Sequence, residues 1–217
     1  MQNNIIIPAV IFCFVFSASA QERDRTDHWN ERNALFEQEQ ESAPRAEIVF
    51  LGNSIIEGFD LDSAFPEKTL INRGIVGDHL DGLIERLENS ALALEPRKIF
   101  LMIGINDIGD GRDDAYLQGM YSSLLDTLQG SLPNTKIYLH SILPTSPRWK
   151  NCPPEQIKRM NQWLVFQAIE RQLVYVNLYP YFAGDSNYIK PALSNDGLHP
   201  NQQGYAVWAA AILRFLD

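Results

Sequence analysis

Five short apolar runs punctuate this chain, and a longer stretch with helical spacing separates each from the next. The runs fall at residues 47–51 (EIVFL), 69–72 (TLIN), 98–103 (KIFLMI), 136–140 (KIYLH) and 173–178 (LVYVNL). Several lack polar alternation, as strands buried on both faces do. Helices are expected at residues 78–89, 113–129, 155–171 and 201–215, with another at 26–40 ahead of the first strand. Strands alternating with helices require a parallel sheet with right-handed crossovers. The expected fold is therefore α/β, a flavodoxin-like doubly wound sandwich of three layers around a five-stranded parallel sheet. Ligands of such sheets bind beyond the carboxyl ends of the strands, so the residues just after each apolar run carry the most information.

The first twenty residues stand apart. They contain no Asp, Glu, Lys or Arg; an apolar run from Ile5 to Phe16 leads into Ser17-Ala18-Ser19-Ala20, and the polar QERDR follows. An apolar core ending in an Ala-x-Ala site reads as a secretory signal peptide cut after Ala20. The run is too short to span a bilayer, which takes about 20 residues, so no stable membrane insertion is expected after cleavage, and the protein is placed outside the cytoplasm, secreted or periplasmic. Cys13 lies within that leader. The remaining cysteine, Cys152, sits in the loop-forming Asn151-Cys152-Pro153-Pro154 and is read as structural, because a reactive thiol needs an activating environment. The formal net charge of −9 argues against nucleic acid as a partner, which demands a basic surface.

Four polar motifs follow the strands. Gly52-Asn53-Ser54 comes after the first, Asn72-Arg73-Gly74-Ile75-Val76-Gly77-Asp78 after the second and Gly104-Ile105-Asn106-Asp107 after the third, while Asp196-Gly197-Leu198-His199-Pro200 opens the last helix. Acyl transfer needs a nucleophile with an adjacent base, an acceptor that orients that base and N–H donors aimed at the developing oxyanion. Ser54 supplies a hydroxyl at a strand-to-helix turn. His199 is the candidate base, and Asp196, three residues before it, can reach its imidazole. The backbone N–H groups of Ser54 and Gly77 and the Asn106 side-chain amide are the candidate donors. Gly77 is expected to let a substrate oxygen approach because it has no side chain, and Pro200 suits the first position of a helix.

These four blocks, in this order, resemble those of the SGNH hydrolase superfamily of GDSL esterases and lipases. The similarity runs from about Glu47 to the C-terminus, and the wording of the third and fourth blocks is similar to the platelet-activating-factor acetylhydrolase-like and bacterial carbohydrate acetylesterase branch. The resemblance implies a Ser54-His199-Asp196 triad, an oxyanion hole of Ser54, Gly77 and Asn106, and no metal or other cofactor. The first block departs from the family in reading Gly-Asn-Ser instead of Gly-Asp-Ser; Asn53 can still bond a neighbouring backbone group but carries no charge. A G-x-S-x-G elbow is absent, since position 56 is Ile56. The expected layout is a leader at 1–20, an N-terminal helical segment at 21–46 and the hydrolase domain at 47–217.

The function expected is hydrolysis of a short acyl ester, acetyl above all, on a small molecule or glycan. The competing readings are a lysophospholipase or thioesterase with the same triad, and a non-catalytic glycan-binding protein, which would show a broken triad. Asn53 and Trp149 are candidate substrate contacts, Trp149 because it lies in the loop beyond the fourth strand. His79 follows the Gly77 block and either lines the cleft or, the reading preferred, is a surface residue at a helix start capped by Asp78. His140 belongs either to the site or to the core. Trp163 and Trp208 have core-like spacing, and Asp107, Asp110, Asp113 and Asp114 read as a solvated acidic loop. Trp29, Leu35 and Phe36 of the first helix pack either on the sheet or on a second copy in a homodimer.

Overall fold

The computed structural model describes residues 24–40 and 47–217; the leader expected at 1–20 lies outside them. The five apolar runs form β1 (Ile48–Gly52), β2 (Leu70–Gly74), β3 (Lys98–Met102), β4 (Lys136–His140) and β5 (Val174–Val176). All are parallel, in the order β2-β1-β3-β4-β5. This is the doubly wound order, with its switch point between β1 and β3. Every residue of β1 and β3 is buried, which explains the absence of polar alternation along them; the one charged residue, Lys98, opens β3. Phe50, Phe100 and Tyr138 sit in register on adjacent strands. Their rings stack at 4.7 and 4.5 Å, a ladder worth about 0.5–1.5 kcal/mol per pair beyond burial.

The helices, in chain order, are α1 (Asp27–Gln40), α2 (Ser54–Glu57), α3 (Leu61–Ala64), α4 (Leu80–Glu85), α5 (Ile105–Gly109), α6 (Asp114–Ser131), α7 (Pro154–Glu170), α8 (Tyr179–Phe182) and α9 (Gln202–Ile212). None among the described residues is long and apolar enough to cross a membrane. The cores of the expected elements match, and the differences lie at their ends. The helix expected at 78–89 is short and gives way to a π-helical turn, Glu88–Leu92. Asp78 does not cap it, because its carboxylate is committed to Arg86; His79 holds the cap position without a side-chain bond. Pro200 is not the first residue of α9. Asn201 caps that helix by accepting from Gly204 N at 3.0 Å, so the proline stays in the preceding turn.

Trp29 and Phe36 of α1 are buried within the chain against Ile75, whereas Leu35 is exposed. Trp208 is fully buried, and Trp163 packs on the core from its edge. His140 is also a core residue, fully buried beside Phe100 and Trp208.

The in-register ends of three strands position the site. Gly52 lies level with Gly74 on one side and Met102 on the other. The turns after β2, β1 and β3 therefore emerge side by side, carrying Gly77, Ser54 and Asn106 in that spatial order.

Candidate active site

Ser54 is the first residue of α2, immediately after β1. Asn53 caps this helix: its side-chain oxygen accepts from Ile55 N at 3.0 Å. Asn53 is fully buried, so it shapes the serine turn from beneath and does not make the substrate contact expected of it. A helix-opening residue has no partner inside its own helix for its N–H, which leaves the Ser54 N–H directed out of the turn. Tyr205 of α9 ties the same turn down by donating its hydroxyl to Ile55 O at 2.9 Å.

The Ser54 hydroxyl lies 2.9 Å from His199 Nε2, and His199 Nδ1 lies 2.7 Å from Asp196 Oδ2. An ionised carboxylate only accepts, so Nδ1 carries the imidazole proton and Nε2 faces the serine as an acceptor. The other oxygen of Asp196 accepts from the backbone N–H groups of Leu198 and His199, both at 2.9 Å, and from the Ser194 hydroxyl at 3.2 Å. Partial burial pushes this carboxyl upward, but the His199 bond and the two backbone donors outweigh it and hold it well below the usual carboxylate range.

Gly77 adopts φ 75°. A Cβ there would meet no protein atom, so within the protein itself it is the left-handed backbone that favours glycine. Close approach matters three residues earlier, where a Cβ on Gly74 would come within 2.1 Å of Glu57 N. Asn106, in α5, donates Nδ2–H to the Asp78 carbonyl at 2.8 Å, which uses one of its two amide hydrogens.

Gly77, Asn106, Ile105, Trp149, Cys152 and Leu198 help to line a cavity of about 260 Å³. A wider, more polar groove of about 990 Å³ runs alongside and shares Gly109, Asp110 and Asn151 with it. The smaller cavity is the one lined by both Gly77 and Asn106. Trp149 lies on its wall and donates its indole N–H to the Asp196 carbonyl at 3.0 Å.

The remaining candidates separate cleanly. His79 is not a surface residue; it is buried on the cavity wall, with Nε2 3.1 Å from Asp110 Oδ2. The acidic stretch is not uniformly solvated. Asp107 is fully buried and accepts from Leu80 N, Asp113 caps α6 through Tyr116 N, and Asp114 pairs with Arg159. Cys152 is buried, and burial raises its thiol to about 11, the setting of an inert cysteine. The sequence reading missed the ion pair of Asp78 with Arg86, both side chains fully buried at 2.8 Å. It also missed the Trp29 indole bond to Asp78 at 2.9 Å. The spacing of these residues matches no motif, so only the fold reveals them.

Residues 50–207 match the model of the GDSL-like lipase/acylhydrolase family. The chain belongs to that family. This acylhydrolase is 28% identical over 165 residues to an acetylxylan esterase of Geobacillus stearothermophilus, a match covering 71% of this chain and 75% of the relative. Its fold superposes on that of a Streptococcus pneumonia chain named for platelet activating factor, with TM-score 0.82, 27% identity and coverage of 88% and 93% of the two chains. A GDSL-like lipase from Bacteroides thetaiotaomicron shares the fold, with TM-score 0.77, 23% identity and coverage of 85% and 96%. The acylhydrolase is thus a carboxylic ester hydrolase on a flavodoxin-like α/β scaffold.

Proposed function

We propose that this acylhydrolase is a serine esterase that removes short acyl groups, acetyl in particular, from carbohydrate, and that it works outside the cytoplasm after loss of residues 1–20. The observation that carries the reading is the unbroken line from Ser54 Oγ through His199 to Asp196, at 2.9 and 2.7 Å. In this scheme His199 Nε2 takes the Ser54 proton as the oxygen attacks the ester carbonyl. The tetrahedral oxyanion is held by the Ser54 and Gly77 N–H groups and by the second Asn106 amide hydrogen. Collapse expels the alcohol, which receives the proton from His199, and a water activated by His199 then frees the acid. The 260 Å³ cavity beside the donors supports a small acyl group. The acetylxylan esterase relative supports a sugar ester, and the apolar leader with its Ala-x-Ala site supports export.

The test is hydrolysis of p-nitrophenyl esters from acetate to octanoate by the mature chain and by Ser54→Ala. The expected result is fastest turnover of acetate and an inactive variant, followed by release of acetate from acetylated xylan. Full activity in Ser54→Ala would remove the serine from its role. A preference for octanoate would move lipid esters ahead of sugars.

A further inference from the structure

The three proposed oxyanion donors sit on three separate segments at the strand ends, and a single buried residue, Asp78, ties those segments together through its carbonyl and its carboxylate. Asp78 follows Gly77 directly. Its carbonyl accepts from Asn106 Nδ2 at 2.8 Å, and its Oδ2 accepts from Arg86 Nε at 2.8 Å. Arg86 in turn donates from Nη2 to the carbonyl of Gly52, two residues before Ser54, also at 2.8 Å. The other oxygen, Oδ1, accepts from His79 N at 3.0 Å and from the Trp29 indole at 2.9 Å. Trp29 belongs to α1, which lies ahead of the segment matched to the family, 50–207.

Helix α1 holds the rest of the same loop as well. Arg32 donates to the Gly74 carbonyl at 3.3 Å. Ile75 is buried between Trp29 and Phe36. His28 Nε2 lies 2.9 Å from Glu57 Oε1, while Glu57 Oε2 accepts from Val76 N. Gly74, Ile75, Val76 and Asp78 are each fixed, directly or through Glu57, by α1. Gly77, with its left-handed backbone, lies between two fixed neighbours.

We infer that α1 is a positioning element of the oxyanion hole, and that Trp29, acting through Asp78, sets the aim of the Gly77 and Asn106 donors. This rests on the proposed role of those donors. Preorganised donors are effective because they need no reorganisation during the reaction. A loosened Asp78 would therefore lower turnover more than ground-state binding.

The test uses Trp29→Phe in the full mature chain, which keeps an aromatic ring and removes the N–H. With p-nitrophenyl acetate, kcat is expected to fall about tenfold, with KM within about twofold and the unfolding midpoint close to wild type. Asn106→Ala alone is expected to be about 10²–10³-fold slower. On that background Trp29→Phe should cost clearly less than its full tenfold, because one of the two donors it aims is gone and only Gly77 is left to be misaimed. An unchanged kcat in Trp29→Phe, or a full tenfold loss repeated on the Asn106→Ala background, would overturn the inference while leaving the esterase reading intact. Full activity in Asn106→Ala would instead overturn the donor assignment, and this inference with it. Should Trp29→Phe not fold, His28→Ala at its exposed contact carries the test. A kcat about threefold lower with unchanged KM supports positioning, and a wild-type kcat overturns it.

Discussion

The indole N–H of Trp149 donates to the backbone carbonyl of Asp196 at 3.0 Å, so one side chain both walls the 260 Å³ cavity and braces the turn that carries His199. The braced turn is held from a second point too, by Ser146 N donating to Gly197 O at 2.7 Å. The loop after β4 is therefore a clamp on the His199 turn as well as a rim of the cleft.

Trp149→Ala should lengthen the accepted acyl group. Each extra methylene placed in apolar surroundings is worth about 1–3 kcal/mol. The ratio of kcat/KM for p-nitrophenyl butyrate over acetate should therefore rise about tenfold or more, even though both rates fall with the loss of the Asp196 brace. A ratio equal to wild type would take Trp149 off the acyl wall.

Asp196→Asn should cut kcat by about 10⁴, because an amide can offer its own N–H to the imidazole and favour the wrong tautomer. In the wild type this carboxyl is held well below its usual range by His199 and two backbone N–H groups. Its charge is therefore present across neutral and mildly acidic pH and is lost only at strongly acidic pH. The acid limb of the wild-type kcat/KM profile should accordingly not come from Asp196. A limb confined to strongly acidic pH would assign it to that carboxyl after all.

His140 predicts how the fold responds to acid. Burial lowers its imidazole to about 3, against about 6.5 when unfolded. Between those values the unfolded chain binds a proton that the folded chain refuses, so stability falls as pH falls. The slope is about 1.4 kcal/mol per pH unit, or roughly 3 kcal/mol between pH 6.5 and 4. Urea midpoints at those two pH values should differ more for the wild type than for His140→Phe, and equal differences would exclude His140 as the source.

Cys152 should ignore thiol reagents in the folded protein. It is buried, with its thiol raised to about 11, and Ellman's reagent should react only after denaturation. Cys152→Ala should keep wild-type esterase activity within about twofold, because inert buried cysteines contribute packing alone. Rapid labelling of the native chain would show that the cavity admits reagents to the sulfur.

What could be read in advance follows from locality. The strands, and the polar blocks at their ends, are visible because buried parallel strands require contiguous apolar residues and because strand-end chemistry is written in neighbouring positions: Gly52-Asn53-Ser54, or Asp196 and His199. The backbone bond expected of Asn53 is local, two residues along at Ile55 N, and could be read in advance. The setting of His79 could not, because which way a turn residue points depends on elements farther away in sequence, here the pairing with Asp110. The Trp29–Asp78–Arg86 group spans α1 to α4 and has no local signature at all.

Ser54 and His199 stand 145 positions apart in the chain, with four of the five strands laid down between them. The histidine turn is braced by the loop after β4, so pairing the two residues calls for elements on both sides of that turn. A nascent polypeptide of this sequence should therefore hydrolyse no ester until those elements have docked. Regain of ester hydrolysis during refolding would time the completion of the whole domain, not of any one of its parts.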